Sequence, residues 1–210
     1  MNHYVSDAVI RRLPGYYRHL RELEAEGVTQ ISSRELGERM RQTSSQIRQD
    51  INCFGGFGRQ GYGYYVPELK EQIRRILGLD HDHTMIIVGA GSIGSAVAHY
   101  PNFVKEGFRT LALFDIDPAR IGTEVGGIRV LPMTELRAFL DANIVDIAVL
   151  AVPMSAAREV CDQLKACGIY AIWNFAPVDL ESQDPRLTVV NVHMSDSLEI
   201  LSYRMKHRDA

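Results

Sequence analysis

A glycine-rich turn constrains the fold of this chain more than any other feature of its sequence. Residues 89–94 read GAGSIG, directly after the apolar, β-branched run 85–88 and before a helical pattern. A GxGxxG turn between a strand and a helix is the fingerprint of a Rossmann-type dinucleotide site. Gly89 permits the turn, Gly91 lets the backbone approach a pyrophosphate, and Gly94 lets helix and strand pack closely. The helix N-terminus offers N–H groups to the phosphates.

Short apolar runs follow this turn and alternate with helical patterns. This alternation predicts an α/β fold, a parallel sheet with helices on both faces. We expect the first helix over 95–100, a last helix over 196–206, and strands over 85–88, 111–115, 145–152, 169–173 and 188–192.

Asp115 ends the second predicted strand, 21 positions beyond Gly94. An acidic side chain at this point accepts hydrogen bonds from the adenosine ribose hydroxyls. Because Asp117 adds a second negative charge, the pattern favours NAD(H) over NADP(H), whose 2′-phosphate would be repelled. Asp115 could instead cap the turn between strand and helix.

Two proline-containing loops follow later strands. They comprise residues 151–153 and 174–177, at the carboxyl ends of the strands, where open α/β sheets bind ligands. They offer an apolar rim for a nicotinamide ring, or are ordinary turns. The candidate nucleotide contacts are Gly89, Ala90, Gly91, Ser92, Ile93, Gly94, Tyr100, Asp115, Val152, Pro153, Asn174, Ala176 and Pro177.

The N-terminal part carries two helix-start signals close together. Ser32 with Glu35 forms a capping box for a helix that ends near Met40, and Thr43 with Gln46 forms a second. Two capped helices this close predict a helix-turn-helix.

The second of these helices has two distinct faces. Ile47, Ile51 and Phe54 form a buried stripe, and the opposite face is polar. Hydroxyl, amide and guanidinium groups bond phosphates and base edges in the major groove, although any amphipathic helix has a polar face. The candidate DNA contacts are Ser44, Ser45, Arg48, Gln49, Asn52, Arg59 and Tyr62.

A glycine-rich, then aromatic stretch follows over residues 55–66. It predicts a tight hairpin with Arg59 at its tip, where the guanidinium could enter the minor groove. A helix-turn-helix followed by such a hairpin is a winged helix, whereas an unrelated glycine hairpin is the alternative reading.

Helical patterns dominate before the polar stretch 78–83, and strand and helix patterns alternate after it. We therefore predict a winged-helix domain over 1–79, a Rossmann domain over 80–193 and a C-terminal helical segment over 194–210. Residues 1–80 hold 12 Lys and Arg against 10 Asp and Glu, and the remainder 11 against 16, a mild bias typical of a nucleic-acid reader joined to another module. His81 and His83 are interpreted as a solvated linker rather than a metal site.

Several function classes are disfavoured. No apolar run is long enough for a membrane helix or a signal peptide, and Cys53, Cys161 and Cys167 lack disulfide or zinc spacing, so we expect a cytoplasmic protein. No Tyr-x-x-x-Lys pair is present, and no catalytic residue is predicted.

The alternatives that stay open are an NAD-dependent oxidoreductase with an accessory winged helix, and a regulator that senses another nucleotide, such as a CoA-type ligand.

Taken together, these stretches resemble the Rex family of redox-sensing transcriptional repressors over essentially the whole chain. The matching pieces lie at 12–18, 32–36, 47–50, 54–55, 61–64, 89–94, 100–101, 114–118, 152–153 and 174–177.

The resemblance implies a homodimer whose C-terminal helix, from about Asp196, is swapped between the Rossmann domains. It implies that NADH binds between the subunits, closes the dimer and releases an inverted-repeat operator, while NAD+ competes without release. The regulated genes would concern fermentation or respiration. Tyr100 would lie near the nicotinamide and help switch states, and Arg18 would pair with the partner subunit in the closed form.

The sequence departs from the family pattern at two positions. Gln49 stands where a basic residue is typical, which affects the expected operator contacts. His193 stands where the acidic partner of Arg18 is expected, so we expect the closed state to be stabilised differently, with an altered response to NADH and NAD+.

Overall fold

The computed structural model describes residues 5–57, 62–181 and 183–208. By their internal contacts, the residues divide into two compact units, Met1–His81 and Asp82–Ala210. We call these the N-terminal unit and the C-terminal unit.

The N-terminal unit is helical with one small sheet. Its buried core draws on every helix, and includes Leu13 and Tyr16, Leu36, Ile47 and Leu69. The elements are α1 (Asp7–Ala25), β1 (Gln30–Ile31), α2 (Ser33–Met40), α3 (Ser44–Asn52), β2 (Tyr64–Tyr65) and α4 (Val66–Ile76).

The helix-turn-helix is confirmed, and its first capping box is complete. The Ser32 hydroxyl accepts from the Glu35 N–H at 3.1 Å, and the Glu35 carboxylate accepts from the Ser32 N–H at 2.8 Å. The second box is only half formed, so that prediction was wrong in part. Thr43 accepts from the Gln46 N–H, but the Gln46 amide donates to Asp50 at 2.7 Å instead of returning to Thr43.

The predicted hairpin is also corrected. Strand β2 pairs antiparallel with β1, which precedes the helix-turn-helix, and residues 55–57 form no strand. Gly63 has a φ of +76°, and a Cβ there would collide with the Ile31 carbonyl oxygen, so the close approach of the two strands requires glycine. Arg59, the predicted tip, lies outside the described residues.

The C-terminal unit is an open α/β sheet. Its helices are α5 (Ser92–Ala98), α6 (Asn102–Lys105), α7 (Leu136–Ala142), α8 (Met154–Ala166) and α9 (Asp196–Lys206), with a 3-10 turn at Met133–Glu135. Its strands are β3 (His83–Val88), β4 (Phe108–Asp115), β5 (Glu124–Val125), β6 (Ile128–Pro132), β7 (Ile147–Leu150), β8 (Ala171–Asn174) and β9 (Thr188–Asn191).

In the described part of this unit, seven strands form one sheet in the order β5-β6-β4-β3-β7-β8-β9. All neighbours are parallel except the edge strand β5. Numbered from β3 and without β5, the order is 3-2-1-4-5-6, which is the doubly wound Rossmann arrangement. The predicted α/β fold is therefore confirmed, although α5 begins at Ser92, inside the glycine-rich turn, rather than at residue 95.

Both faces of the sheet are covered, which explains the continuous apolar strand sequences. Ile86 and Val88 belong to a core cluster that includes Ala157 and Leu164 of α8. Their neighbour Ile87 belongs to a second cluster, which includes Val97 of α5.

Helix α9 has no buried residue, and its bounds match the predicted last helix. Its apolar side chains Leu198, Leu201 and Met205 are 67%, 51% and 68% exposed. None of the helices in the described ranges is long and apolar enough to cross a membrane.

Candidate nucleotide and DNA sites

A cleft of about 470 Å³ opens at the carboxyl ends of β3 and β7, where the strand order reverses. The helices that follow these two strands, α5 and α8, both begin beside it. Its lining comprises Val88, Gly89, Gly91, Ser92, Ile93, Phe114, Asp115, Ile116, Arg120, Met133, Ala151, Val152, Pro153, Ala156 and Val160.

The three fingerprint glycines have different structural roles. Gly89 has a φ of +100°, and a Cβ there would collide with the Ala151 carbonyl oxygen. A Cβ on Gly94 would collide with the Gly89 carbonyl oxygen, so both positions require glycine for the backbone to pack. Gly91 instead lines the cleft, and the nearest atom to a Cβ there would be Nη1 of Arg120, at 3.3 Å. A side chain at Gly91 would occupy ligand space rather than break the fold.

The Asp115 carboxylate is fixed by the backbone around it. Its Oδ1 accepts from the N–H groups of Ile116 and Asp117 at 2.7 and 2.9 Å, and its Oδ2 accepts from the Ala90 N–H at 2.7 Å. Burial favours the neutral acid, but these N–H donors outweigh it and hold the pKa of Asp115 below its usual range. The group is therefore an anion at neutral pH that joins β4 to the glycine-rich turn, as well as an acceptor facing the cleft.

Arg120 is a residue of this cleft that the sequence reasoning missed. Its Nη1 lies 3.3 Å from Oδ2 of Asp115, and its Nε lies 3.5 Å from Oδ2 of Asp117. The expectation that two carboxylates repel a 2′-phosphate took no account of this cation. The only sequence signal was an arginine three positions after Asp117 in the same turn.

The loop after β8 differs from the expectation. Asn174 is fully buried, donates to the Val178 carbonyl at 2.7 Å and to Oδ1 of Asn191 at 2.8 Å, and accepts from the Ala176 N–H at 3.0 Å. Its side-chain polar atoms shape the loop, and a direct contact between Asn174 and a ligand stays a prediction. Of the predicted contacts, Ala90, Gly94, Tyr100, Asn174, Ala176 and Pro177 do not line the cleft, whereas the others do.

A row of aromatic rings leads from Tyr100 into the sheet. Tyr100 is 48% exposed and its ring centroid lies 4.6 Å from that of Phe103. Phe103 meets the edge of Trp173 at 5.7 Å, and Trp173 meets Phe175 at 4.6 Å. Tyr100 is thus a half-exposed ring that packs on a row of partly buried aromatic side chains.

The polar face of α3 is open to solvent as predicted. Ser45, Arg48, Gln49 and Asn52 are exposed, Ser44 is half-buried and Tyr62 is 75% exposed. The Arg48 guanidinium donates to the hydroxyls of Ser33 and Ser45 at 3.1 and 3.2 Å. These bonds hold its charge at the outer surface of the helix-turn-helix, where a phosphate or base edge could meet it.

An ion pair between the partly exposed Arg12 and a buried carboxylate was not anticipated. Asp50, on the inner side of α3, is fully buried and accepts from Arg12, Tyr16 and Gln46. Burial and the Asp50 carboxylate together raise the pKa of the Tyr16 hydroxyl well above its usual value. The network fixes α3 against α1.

Two residues assigned to switching lie in different units. Arg18 is exposed on α1. In the C-terminal unit, Nε2 of His193 lies 2.8 Å from Oδ1 of Asp179. Position 193 therefore carries no carboxylate of its own but has one beside it.

Within residues 5–57, 62–181 and 183–208, no group of three or more His, Cys, Asp or Glu side chains could hold a metal ion. Cys53, Cys161 and Cys167 are free thiols.

Family models match both units. A model described as a putative DNA-binding protein N-terminus covers residues 4–52, and one described as a CoA binding domain covers residues 80–178. The chain is similar to the redox-sensing transcriptional repressor Rex of Thermoanaerobacter sp. (strain X514), 48% identical over 98% of this chain and 91% of that protein. The Rex of Clostridium botulinum (strain Alaska E43 / Type E3) is 48% identical over 97% of each chain.

Solved structures of RSP, a Rex-family repressor, are similar throughout. One superposes with a TM-score of 0.91 at 46% identity, covering 98% of this chain and 95% of that one. RSP in complex with NAD+ and operator DNA matches with a TM-score of 0.91 at 48% identity, over 98% and 94%. RSP in complex with NADH matches with a TM-score of 0.90 at 45% identity, over 98% and 96%. With such identity over almost its whole length, this chain belongs to the Rex family of redox-sensing transcriptional repressors.

Proposed function

We propose that this protein represses transcription by binding an inverted-repeat operator, and that the NADH/NAD+ ratio controls its release. The observation that carries the proposal is the cleft at the β3–β7 switch point, where Gly91 leaves space and Asp115 presents a fixed anion. The same chain carries a helix-turn-helix with an exposed polar face. A structure of the related RSP with NAD+ and operator DNA supports the same pairing of ligands here.

The nucleotide acts as a signal rather than as a reagent in this proposal. The cleft offers glycine backbone, apolar side chains and the Asp115–Arg120 pair, a set that suits binding and orientation. Membership of a repressor family also supports a protein without turnover. We place its action in the cytoplasm, and its targets among genes of fermentation or respiration.

We further propose that the working form is a homodimer in which α9 packs on the partner subunit. The apolar residues Leu198, Leu201 and Met205 are more than half exposed in the single chain. A helix with such an uncovered apolar side gains stability when a second surface removes it from water. The family resemblance supports a swap of this helix between the Rossmann domains.

Asp179 is proposed to supply the carboxylate that Arg18 requires in the closed dimer. His193 contacts only Oδ1 of Asp179, at 2.8 Å, which leaves Oδ2 to accept from a guanidinium. The carboxylate that pairs with Arg18 then comes from Asp179 instead of from position 193, and the switch pair is relocated rather than lost.

This relocation is tested by the change Asp179→Ala, with Glu181→Ala as a nearby control of equal charge. Asp179→Ala should raise the NADH concentration needed for operator release, and Glu181→Ala should not. Equal release midpoints in both variants and the unchanged protein would refute the role of Asp179.

One alternative ligand is favoured by a specific observation, because residues 80–178 match a model described as a CoA binding domain. Calorimetry with NADH, NAD+ and CoA separates this reading from the first. Binding of CoA together with failure to bind either dinucleotide would replace NAD(H) as the signal.

The main proposal is tested by a gel shift on inverted-repeat DNA with NADH, NAD+ or no nucleotide. We expect a complex with NAD+ and without nucleotide, and its loss with NADH. Retention of the complex at saturating NADH, with NADH binding shown separately, would overturn the redox response.

A further inference from the structure

Arg120 lies in the cleft between Asp115 and Gly91. Its Nη1 is 3.3 Å from Oδ2 of Asp115, and 3.3 Å from the position that a Gly91 Cβ would take. Gly91 is the glycine whose missing side chain lets a pyrophosphate approach the turn. The guanidinium therefore stands between the predicted ribose acceptor and the predicted phosphate position.

The hydrogen bonds of Asp115 show which of its partners can leave. A carboxylate has about four lone-pair sites, and here Oδ1 accepts from two N–H groups while Oδ2 accepts from the Ala90 N–H and from Arg120. Three of these donors belong to the backbone that forms the turn, so they cannot move without unfolding it. Arg120 has the longest of the four bonds and a side chain that is 45% exposed. It is the partner that a ribose hydroxyl can replace.

A guanidinium released from Asp115 has an anionic destination within reach. It stays beside Asp117, whose Oδ2 lies 3.5 Å from Nε, and it already borders the space over Gly91. A guanidinium donates charge-assisted hydrogen bonds to phosphate oxygens, so the pyrophosphate of a dinucleotide would accept the one bond that Asp115 loses.

We propose that Arg120 is a phosphate-contacting residue of the nucleotide cleft, which exchanges Asp115 for the pyrophosphate when the dinucleotide binds. The exchange links two contacts. A ribose hydroxyl donates to the Asp115 oxygen that Arg120 has left, and the guanidinium donates to the phosphate. This inference rests on the proposed NAD(H) function.

The test is the affinity of the full-length protein for NADH and NADPH in Arg120→Met and Arg120→Lys. Arg120→Met should weaken NADH binding by about tenfold or more, the effect of one lost bond between charged groups. Arg120→Lys should recover most of that loss, because a point charge still meets the phosphates. Arg109→Met, at the opposite end of β4 and exposed, is the control that removes the same charge without effect.

Each outcome decides the question. Unchanged or tighter NADH binding in Arg120→Met would overturn the exchange, and so would a loss confined to NADPH, which would assign the guanidinium to the 2′-phosphate. Failure of Arg120→Lys to recover affinity would assign it to stacking on the adenine and would also overturn the proposal. If the unchanged protein binds no NADH, it is the proposed function that fails. A thermal unfolding midpoint within the range of the Arg109→Met control separates a lost contact from a damaged fold.

Discussion

The guanidinium of Arg12 forms a forked ion pair with the carboxylate of Asp50, with N–O distances of 2.6 and 2.8 Å. Asp50 is fully buried on the inner side of α3, between the exposed residues Arg48 and Asn52. The Tyr16 hydroxyl donates to the same carboxylate at 2.8 Å. The helix that presents the candidate DNA contacts is thus fastened to α1 by one buried anion.

Removing that anion should destabilise the N-terminal unit strongly. Asp50→Ala leaves the Arg12 charge and the Tyr16 hydroxyl without their partner, and we expect a loss of about 3–5 kcal/mol in the free energy of unfolding. Urea denaturation measures it. Asp7→Ala, which breaks the exposed pair with Arg11, should leave the midpoint nearly unchanged. An equal loss of unfolding free energy in the two variants would show that the network around Asp50 stabilises the unit no more than an exposed ion pair.

The same carboxylate should make stability fall in acid. Burial opposes ionisation of Asp50, but the bonds from Arg12, Tyr16 and Gln46 outweigh it and lower its pKa from the usual 3.8. Because the unfolded chain then takes up a proton at higher pH than the folded one, this stability is present at neutral pH. It is lost as pH falls below about 3.8 through the folded-state value. Denaturation curves at a series of pH values should show this slope, and Asp50→Asn should reduce it; an equal slope in both proteins would contradict the assignment.

Arg48 should contribute directly to operator affinity. Its guanidinium is held at the surface by Ser33 and Ser45. Arg48→Ala should remove about 1–3 kcal/mol of binding free energy, which is roughly 5- to 150-fold in affinity. Fluorescence anisotropy with labelled operator measures this. Arg109→Ala makes the same change in net charge in the C-terminal unit. If both variants lose affinity equally, the effect is one of net charge and Arg48 is no contact.

Alanine at Gly91 and alanine at Gly94 should both weaken nucleotide binding, but only the change at Gly94 should also destabilise the fold. Gly94→Ala forces a Cβ against the Gly89 carbonyl oxygen, so both the thermal unfolding midpoint and the affinity for nucleotide should fall. Gly91→Ala meets only the Arg120 side chain at 3.3 Å, so the fold should persist while the methyl group obstructs the pyrophosphate. Unfolding and NADH titration on both variants check this. Normal NADH affinity in Gly91→Ala would place the pyrophosphate elsewhere.

Local sequence patterns predicted much of this molecule. The strand–glycine–helix succession at 85–94 fixed the start of the sheet, because a glycine that must turn and pack closely leaves few alternatives. The Ser32–Glu35 capping box marked the start of α2, since both of its bonds span three residues. The last helix was likewise predicted with its observed bounds, Asp196–Lys206.

Long-range relationships were out of reach. Arg12 and Asp50 are 38 positions apart, and nothing in either local pattern pairs them. Gln46 was expected to return to Thr43, but the buried Asp50 offered its amide an acceptor of full negative charge. Strand β2 was expected in a hairpin with residues that precede it directly, yet it pairs with Gln30–Ile31 on the other side of the helix-turn-helix. Arg120 was missed because its importance comes from a turn that folds back over Asp115.

The coupling between nucleotide binding and operator binding is measured by a linkage experiment. Operator affinity is measured with and without saturating NADH, and NADH affinity with and without operator, the latter through the fluorescence of Trp173, the chain's only tryptophan. If the two sites are coupled, NADH weakens operator binding, and operator weakens NADH binding by the same factor. Operator affinity that is identical with and without bound NADH would contradict the coupling.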